Sequence, residues 1–326
     1  MRFLNHILAL ALFLSCAFGV IGAEAVTGEP AHPAVEAGTG APHDGAHSEN
    51  KGLSPDAPVF NIGPLQFTSS TMVTWIVALG LIVFAQLATR NIQMVPSGLQ
   101  NFAEWLVESL YEFFEGILGK DLVKKSFWFF CTLFLFILAT NWFGLVPGVG
   151  TVGHGSVDAA GHFHLEKPFF RGGNADLNMT LAMSLVFFFL WTVWAFQSLG
   201  FVGFFKHIFG GGGGKGFMAI FMAAIFIFVG LIEVISIAFR PVSLSFRLYG
   251  NIFAGENILE SMMHLGGTWF AWLLPLPFYF LELLVGLVQA LVFALLTSVF
   301  TALMCAHHEE AHGDAHGHEH GGGHAH

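Results

Sequence analysis

Long uncharged apolar runs alternate with short polar stretches along this chain. Residues 69–89 carry no charge until Arg90. That is about the length a helix needs to cross ~30 Å of hydrocarbon, and it predicts the first membrane span of the mature chain. Similar runs at 126–145 and 177–205 predict the second and third spans. Pro147 and Gly148 close one, and Lys206 closes the other. The last two apolar runs are too long for a perpendicular crossing. Residues 217–264 number 48 and residues 268–306 number 39. As straight helices they would measure about 70 Å and 60 Å. Both must tilt steeply, bend, or extend beyond the membrane. Pro241 permits a kink in the first, and Leu274-Pro275-Leu276-Pro277 offers a start for the membrane part of the second.

Residues 97–119 follow another pattern. Leu99, Phe102, Trp105, Leu106, Leu110, Phe113, Phe114 and Ile117 recur at helical spacing, with Glu104, Glu108, Glu112 and Glu115 between them. This is an amphipathic helix, expected at the membrane interface, with packing on a partner as the other reading.

The ends of the chain differ from its middle. Residues 1–25 have the outline of a targeting segment: Arg2, an apolar run, then Ala23-Glu24-Ala25 as small residues at a cleavage site. The alternative is a retained first membrane helix. Residues 26–66, rich in Pro, Gly, Ala, His and Glu, read as a flexible external segment. Residues 148–175 read as a Gly/His-rich external loop, and Gly210–Gly214 as part of a flexible cytoplasmic turn. Residues 307–326 form a His-rich tail, expected to be cytoplasmic, solvated and without fixed structure. Five crossings from an external N-terminus place it there. Arg90, Lys120, Lys124, Lys125, Lys206 and Lys215 then fall inside, and Lys51, Lys167 and Arg171 outside, a moderate positive-inside bias.

Composition fixes the class. Of 326 residues, 55% are hydrophobic and 10% charged, and mean hydropathy is +0.68. Soluble domains carry about 25% charge. The expected fold is therefore an all-α integral membrane protein of about five crossing helices plus one interfacial helix. Net charge is −10, with 12 Lys and Arg, so there is no surplus to neutralise a nucleic-acid backbone. Cys16, Cys131 and Cys305 lack disulfide or metal spacing. No nucleotide-binding loop is present, and nothing calls for a cofactor.

The chemistry lies in groups that do not belong in lipid. An ionised side chain at bilayer depth costs ~2.5–3.5 kcal/mol on insertion scales and marks an ion pathway by default. The two long runs hold Glu233, Arg240, Arg247, Glu256, Glu260 and Glu282, with Asn251 and Gln289 as polar neighbours. Glu260 and His264 sit near the end of their run, where a solvated rim is the plainer reading. Glu233, Arg240 and Arg247 are seven apart and near one stripe, with Asn251 on the same face. Glu256 stands nine residues past Arg247, about half a turn away and ~13 Å along the axis, so no simple bridge joins them. Arg247 needs a partner on another helix or another chain. If the long helices run antiparallel, Gln289 approaches Arg247 and Glu282 approaches Glu256. The plainer alternatives are an interfacial Glu282 and a Gln289 that only bonds between helices.

The segment Pro241-Val242-Ser243-Leu244-Ser245-Phe246-Arg247-Leu248-Tyr249-Gly250-Asn251-Ile252-Phe253-Ala254-Gly255-Glu256 resembles the signature of subunit a of the F-type ATP synthases. Further matches are Asn174-Ala175-Asp176-Leu177-Asn178-Met179-Thr180, Asn141 with Gly144-Leu145-Val146-Pro147-Gly148, Pro96 with Leu99-Gln100-Asn101, and Gln289-Ala290-Leu291-Val292-Phe293. The likeness covers roughly residues 66–306, which makes 67–306 the membrane domain. It implies a proton-translocating stator subunit with two half-channels, whose last two helices form a steeply tilted hairpin against a rotor ring. Arg247 would be the essential cation facing the carboxylates of the subunit c ring. Asn251, Glu256 and Gln289 match polar channel positions, and Glu233 an acidic position near the cytoplasmic exit. Glu282 stands where some members have a histidine and others an acid. The implied partners are the c ring, subunit b of the peripheral stalk, membrane lipid and, indirectly, the soluble ATPase sector that performs the nucleotide chemistry. The implied location is a bacterial inner membrane.

Two other readings use the same residues. A stand-alone ion channel or secondary transporter also buries charges, but there is no internal repeat and five spans do not halve. The tail offers His307, His308, His312, His316, His318 and His320 as metal ligands, although Gly spacing gives them no fixed geometry.

Overall fold

The computed structural model describes residues 59–62, 65–146, 149, 153–157, 163–168, 170–209, 217–265, 270 and 272–316. The leader 1–25 and residues 317–326 lie outside them. Six helices are found among the described residues: α1 Ser69–Thr89, α2 Leu99–Leu118, α3 Lys120–Gly144, α4 Leu177–Phe209, α5 Phe217–Leu265 and α6 Leu276–His316. All but α2 are long and apolar enough to cross a membrane. The chain is a multi-pass, almost wholly helical membrane protein.

Local chemistry sets the helix ends. Thr68 caps α1, its Oγ1 accepting the Thr71 N–H at 3.3 Å. Gly119, at φ +76°, separates α2 from α3. The second membrane helix therefore begins at Lys120, six residues before the apolar run, so that Lys120, Lys124 and Lys125 sit on its first turns. Gly200, at φ +70° and ψ 163°, interrupts α4, a conformation essentially confined to glycine. In the last apolar run α6 opens at Leu276, inside the Leu274-Pro275-Leu276-Pro277 stretch expected to start its membrane part, with Pro277 in its first turn, where a missing N–H costs nothing.

Both long connections contain a short pair of strands. The end of the 26–66 segment is ordered: strand β1, Val59–Ile62, pairs antiparallel with β2, Leu65–Thr68, from Val59↔Thr68 to Ile62↔Leu65. The 148–175 stretch likewise contains β3, Gly153–Val157, paired with β4, Phe163–Pro168, across a bulge at His154/Gly155. Each strand has only four to six residues, too few for composition to reveal it.

The centre of the molecule is α3. Its Phe129, Phe130, Leu133 and Ile137 are buried against Val73 of α1, Phe114 of α2, Phe187 of α4 and Phe293 of α6. Lipid is as apolar as these side chains, so contact and interhelical hydrogen bonds must hold the helices together. Phe129 meets Trp194 edge-on at 5.6 Å. Asn141 Nδ2 donates to the Gly286 carbonyl at 3.0 Å, and Trp142 Nε1 to Leu283 at 3.2 Å, which fix α3 on α6. Trp191 Nε1 donates to Phe300 at 3.2 Å and ties α4 to the same helix.

The long helices α5 and α6 run antiparallel. Arg240 lies over the Phe300 ring, Asn251 bonds Gln289, and Gly255 abuts Glu282, so rising numbers on one meet falling numbers on the other. On α5 the residues Ile237, Pro241, Leu244, Ser245, Leu248, Ile252, Gly255 and Leu259 form a buried seam, three or four residues apart except for the adjacent Leu244 and Ser245. The opposite face is open. Of an 18-residue apolar stretch within Ala224–Met263 only 17% is buried within this chain, against 61% of the corresponding stretch of α3. That 40-residue span would be about 60 Å long if straight, twice the hydrocarbon thickness, so it must incline steeply or leave the membrane.

Candidate ion pathway

Ionisable groups are strung along α5 in the order Glu233, Arg240, Arg247, Glu256 and Glu260. Glu233 Oε1 and Arg240 Nη2 pair at 3.3 Å, joined across seven residues of one stripe. Arg240 also lies 4.6 Å from the Phe300 ring centroid and 5.8 Å from that of Trp191, so aromatic faces flank its cation. Arg247 is exposed on the open side, together with Phe239, Ser243, Phe246 and Gly250. Among the described residues it has no hydrogen-bond or ion-pair partner. A guanidinium keeps its charge at any working pH, so the chain presents a permanent cation midway along a helix it leaves uncovered.

Gln289 makes the bond between helices offered above: its Oε1 accepts from Asn251 Nδ2, one turn past Arg247, at 2.7 Å. Glu282 approaches Glu256, close enough for its charge to act there. Its carboxylate fills the place where a side chain on Gly255 would stand. Glu282 is 7% exposed, and its Oε1 has no hydrogen-bond partner among the described residues.

Glu256 has a partner that the sequence did not reveal. Arg171, counted above among external loop residues, is 4% exposed, and its Nε lies 3.5 Å from Glu256 Oε2. The Gly172 N–H donates to the same carboxylate. A side-chain carbon at Gly172 would stand 2.5 Å from Glu256 Oε1, and one at Gly173 would stand 2.6 Å from Thr140 Cγ2. A 3-10 turn, Gly173–Ala175, follows, wedged among α1, α3 and α5. Asn174 Nδ2 donates to Asn141 Oδ1 at 2.6 Å, and Asp176 Oδ1 caps α4 by accepting the Asn178 N–H. The end of this connection is thus part of the protein interior. The available signal was local: an arginine, two glycines and a helix cap in succession, immediately before an apolar run.

The site joins carboxylates, amides and a buried guanidinium inside the helices, with a second guanidinium on the outer face. Such groups can take up, hold and hand on a proton. The side chains of His307, His308, His312 and His316 lie outside the described residues, as do His318 and His320 entirely.

A multi-pass helical protein with titratable groups along two extended helices belongs among the ion-conducting membrane subunits. The family model described as ATP synthase A chain matches residues 71–302, and the chain belongs to this family. It is 32% identical over 232 residues to ATP synthase subunit a of Gloeobacter violaceus, covering 71% of this chain and 81% of that one. The same-named protein of Moorella thermoacetica is 31% identical over 71% of this chain and 88% of its own length. That of Solidesulfovibrio magneticus is 34% identical over 68% and 78%.

Proposed function

We propose that the chain performs its family's task, proton translocation coupled to ATP synthesis, through two water-accessible half-channels that meet a rotor ring at Arg247. Protons enter from outside near Glu256 and Glu282 and neutralise a carboxylate on the ring, which then faces lipid at lower cost. After rotation the proton leaves to the cytoplasm near Glu233. Asn251 and Gln289 hold the two long helices in register between these routes. Arg247 favours the ionised form of each passing carboxylate by opposite charge, and it blocks direct leakage between the half-channels. One charge crossing 100 mV yields ~2.3 kcal/mol, so several protons are needed per ATP.

The observation that carries this reading is the exposed Arg247 on a helix face left uncovered by its own chain. A ring of hairpin subunits c fits that face. Subunit b of a peripheral stalk and the surrounding lipid cover other surfaces, and the soluble ATPase sector is reached through the complex. The membrane is a bacterial inner membrane, with the N-terminus outside and the C-terminus in the cytoplasm. The basic residues at Arg90, Lys120, Lys124 and Lys125 support that orientation.

Reconstituting the assembled complex in vesicles and imposing a proton gradient tests the reading. Arg247→Ala is expected to abolish ATP synthesis while the complex still assembles. Normal coupled synthesis in that variant rejects it. Arg247→Lys is expected to fail as well, because a compact ammonium lacks the planar fork and can lose its proton.

A further inference from the structure

We propose that Arg171 is a positioning residue of the outer half-channel: it holds the Glu256 carboxylate against the Gly172 N–H, facing Glu282. This rests on the channel reading above and adds a member to the machinery from outside the two long helices.

The geometry ties three elements into one unit. Arg171 Nε lies 3.5 Å from Glu256 Oε2, and its guanidinium lies 5.7 Å from the Phe253 ring centroid, three residues before the glutamate on α5. Gly172 allows the backbone to approach, since the carboxylate occupies the space a side chain would need. Asn174 then bonds Asn141, and Asn141 bonds the Gly286 carbonyl, one helical turn past Glu282. The connection that carries Arg171 is thereby fixed to α6 as well as to α5. Among the described residues the charged groups around Glu256 are Arg171 from this connection, Glu282 from α6 and, one turn along α5, Glu260. The α1 helix contributes no ionisable side chain, and α3 contributes no acid or base beyond Lys125. Glu256 and Glu282 repel each other whenever both are ionised. Without the guanidinium the Glu256 carboxylate would swing away, and the outer route would lose its alignment.

The test uses the assembled complex in proteoliposomes, with ATP synthesis under an imposed gradient and subunit content by immunoblot. Arg171→Met keeps bulk without charge, and Arg171→Lys keeps charge with a changed shape. Arg171→Met is expected to lose roughly tenfold or more in rate, as expected for a misplaced reacting group. Arg171→Lys is expected to recover most of it. The double variant Arg171→Met/Glu256→Gln is expected to match Glu256→Gln alone, because the arginine acts through the glutamate. A rate for Arg171→Met equal to or above that of Arg171→Lys overturns the proposal, and so do losses that multiply in the double variant. If Arg171→Met fails to assemble, the double variant decides. Its assembly supports the pairing, and its failure where Glu256→Gln assembles shows a separate structural role. Arg247→Ala in the same vesicles reports on the channel reading itself: coupled synthesis there removes that reading however Arg171 behaves. Loss of coupling there, with Arg171→Met at the rate of the unaltered chain, removes only the present proposal.

Discussion

Gly173 stands where the connection enters the bundle, and its missing side chain is a spatial requirement. A carbon added there would lie 2.6 Å from Thr140 Cγ2 and 3.1 Å from Thr74 Oγ1, both on packed helices. Overpacking of this kind costs about 1–3 kcal/mol. Gly173→Ala is therefore expected to lower the thermal unfolding midpoint of the purified chain in detergent. Gly80→Ala, in the interior of α1 with nothing within 4 Å, is expected to leave the midpoint unchanged or raise it slightly. Asn141 makes the complementary case, because its amide serves both Asn174 and Gly286. Asn141→Leu leaves the buried Asn174 amide without its partner, a cost of about 1–3 kcal/mol, and should lower the midpoint below that of Gly80→Ala. Thermal unfolding of Asn141→Leu beside Gly80→Ala checks this order; equal midpoints would refute it.

At the scale of elements, α4 and α5 show how backbone conformation sets where helices point. Gly200 sits at φ +70° within α4 and divides its membrane part from the segment ending at Phe209. A side chain in that conformation costs about 1–3 kcal/mol. Gly200→Ala should therefore lower stability, or straighten α4 and pull its end from Gly230 of α5, against which Phe209 packs. Circular dichroism melting of the variant measures the first outcome, and distances between spin labels flanking the break measure the second. Unchanged melting and unchanged distances would contradict the assignment. The α5 helix passes through Pro241, which lies in the buried seam between Ile237 and Ser245. Its length was legible in the sequence because the run resumes its apolar character after each of its few charged residues. The start of α6 at Leu276 was marked only by Pro275 and Pro277, because the residues on either side of them are equally apolar.

For the whole molecule, the uneven coverage of the helices is the leading feature. The inner helices cover α3 on most sides, while α5 turns most of its surface outward. If that surface faces a rotor, cysteines at Ser243 and Gly250, both exposed beside Arg247, should form disulfides with cysteines placed on the ring's outer helix. A cysteine at Leu79, exposed on α1, should not. Equal cross-linking at all three positions, or none at Ser243 and Gly250, would place the ring elsewhere. The paired groups Glu233 and Arg240 are partly exposed on the same helix, and such pairs contribute about 0–1 kcal/mol. Glu233→Gln is thus expected to leave assembly intact while slowing proton release, read as ATP synthesis rate against subunit content.

The sequence alone determined the membrane class, the span of α1, the amphipathic helix and the row of ionisable groups on the long helices. Each depends on residues close together in the chain, where uncharged runs, helical spacing and the cost of charge in lipid act directly. It did not determine that Arg171 pairs with Glu256, 85 positions away, or that Gln289 bonds Asn251. Those pairings depend on where the connection before α4 folds, and on how far α6 slides along α5. Several partners were within reach of each polar group, and only the packed arrangement of the helices selected among them.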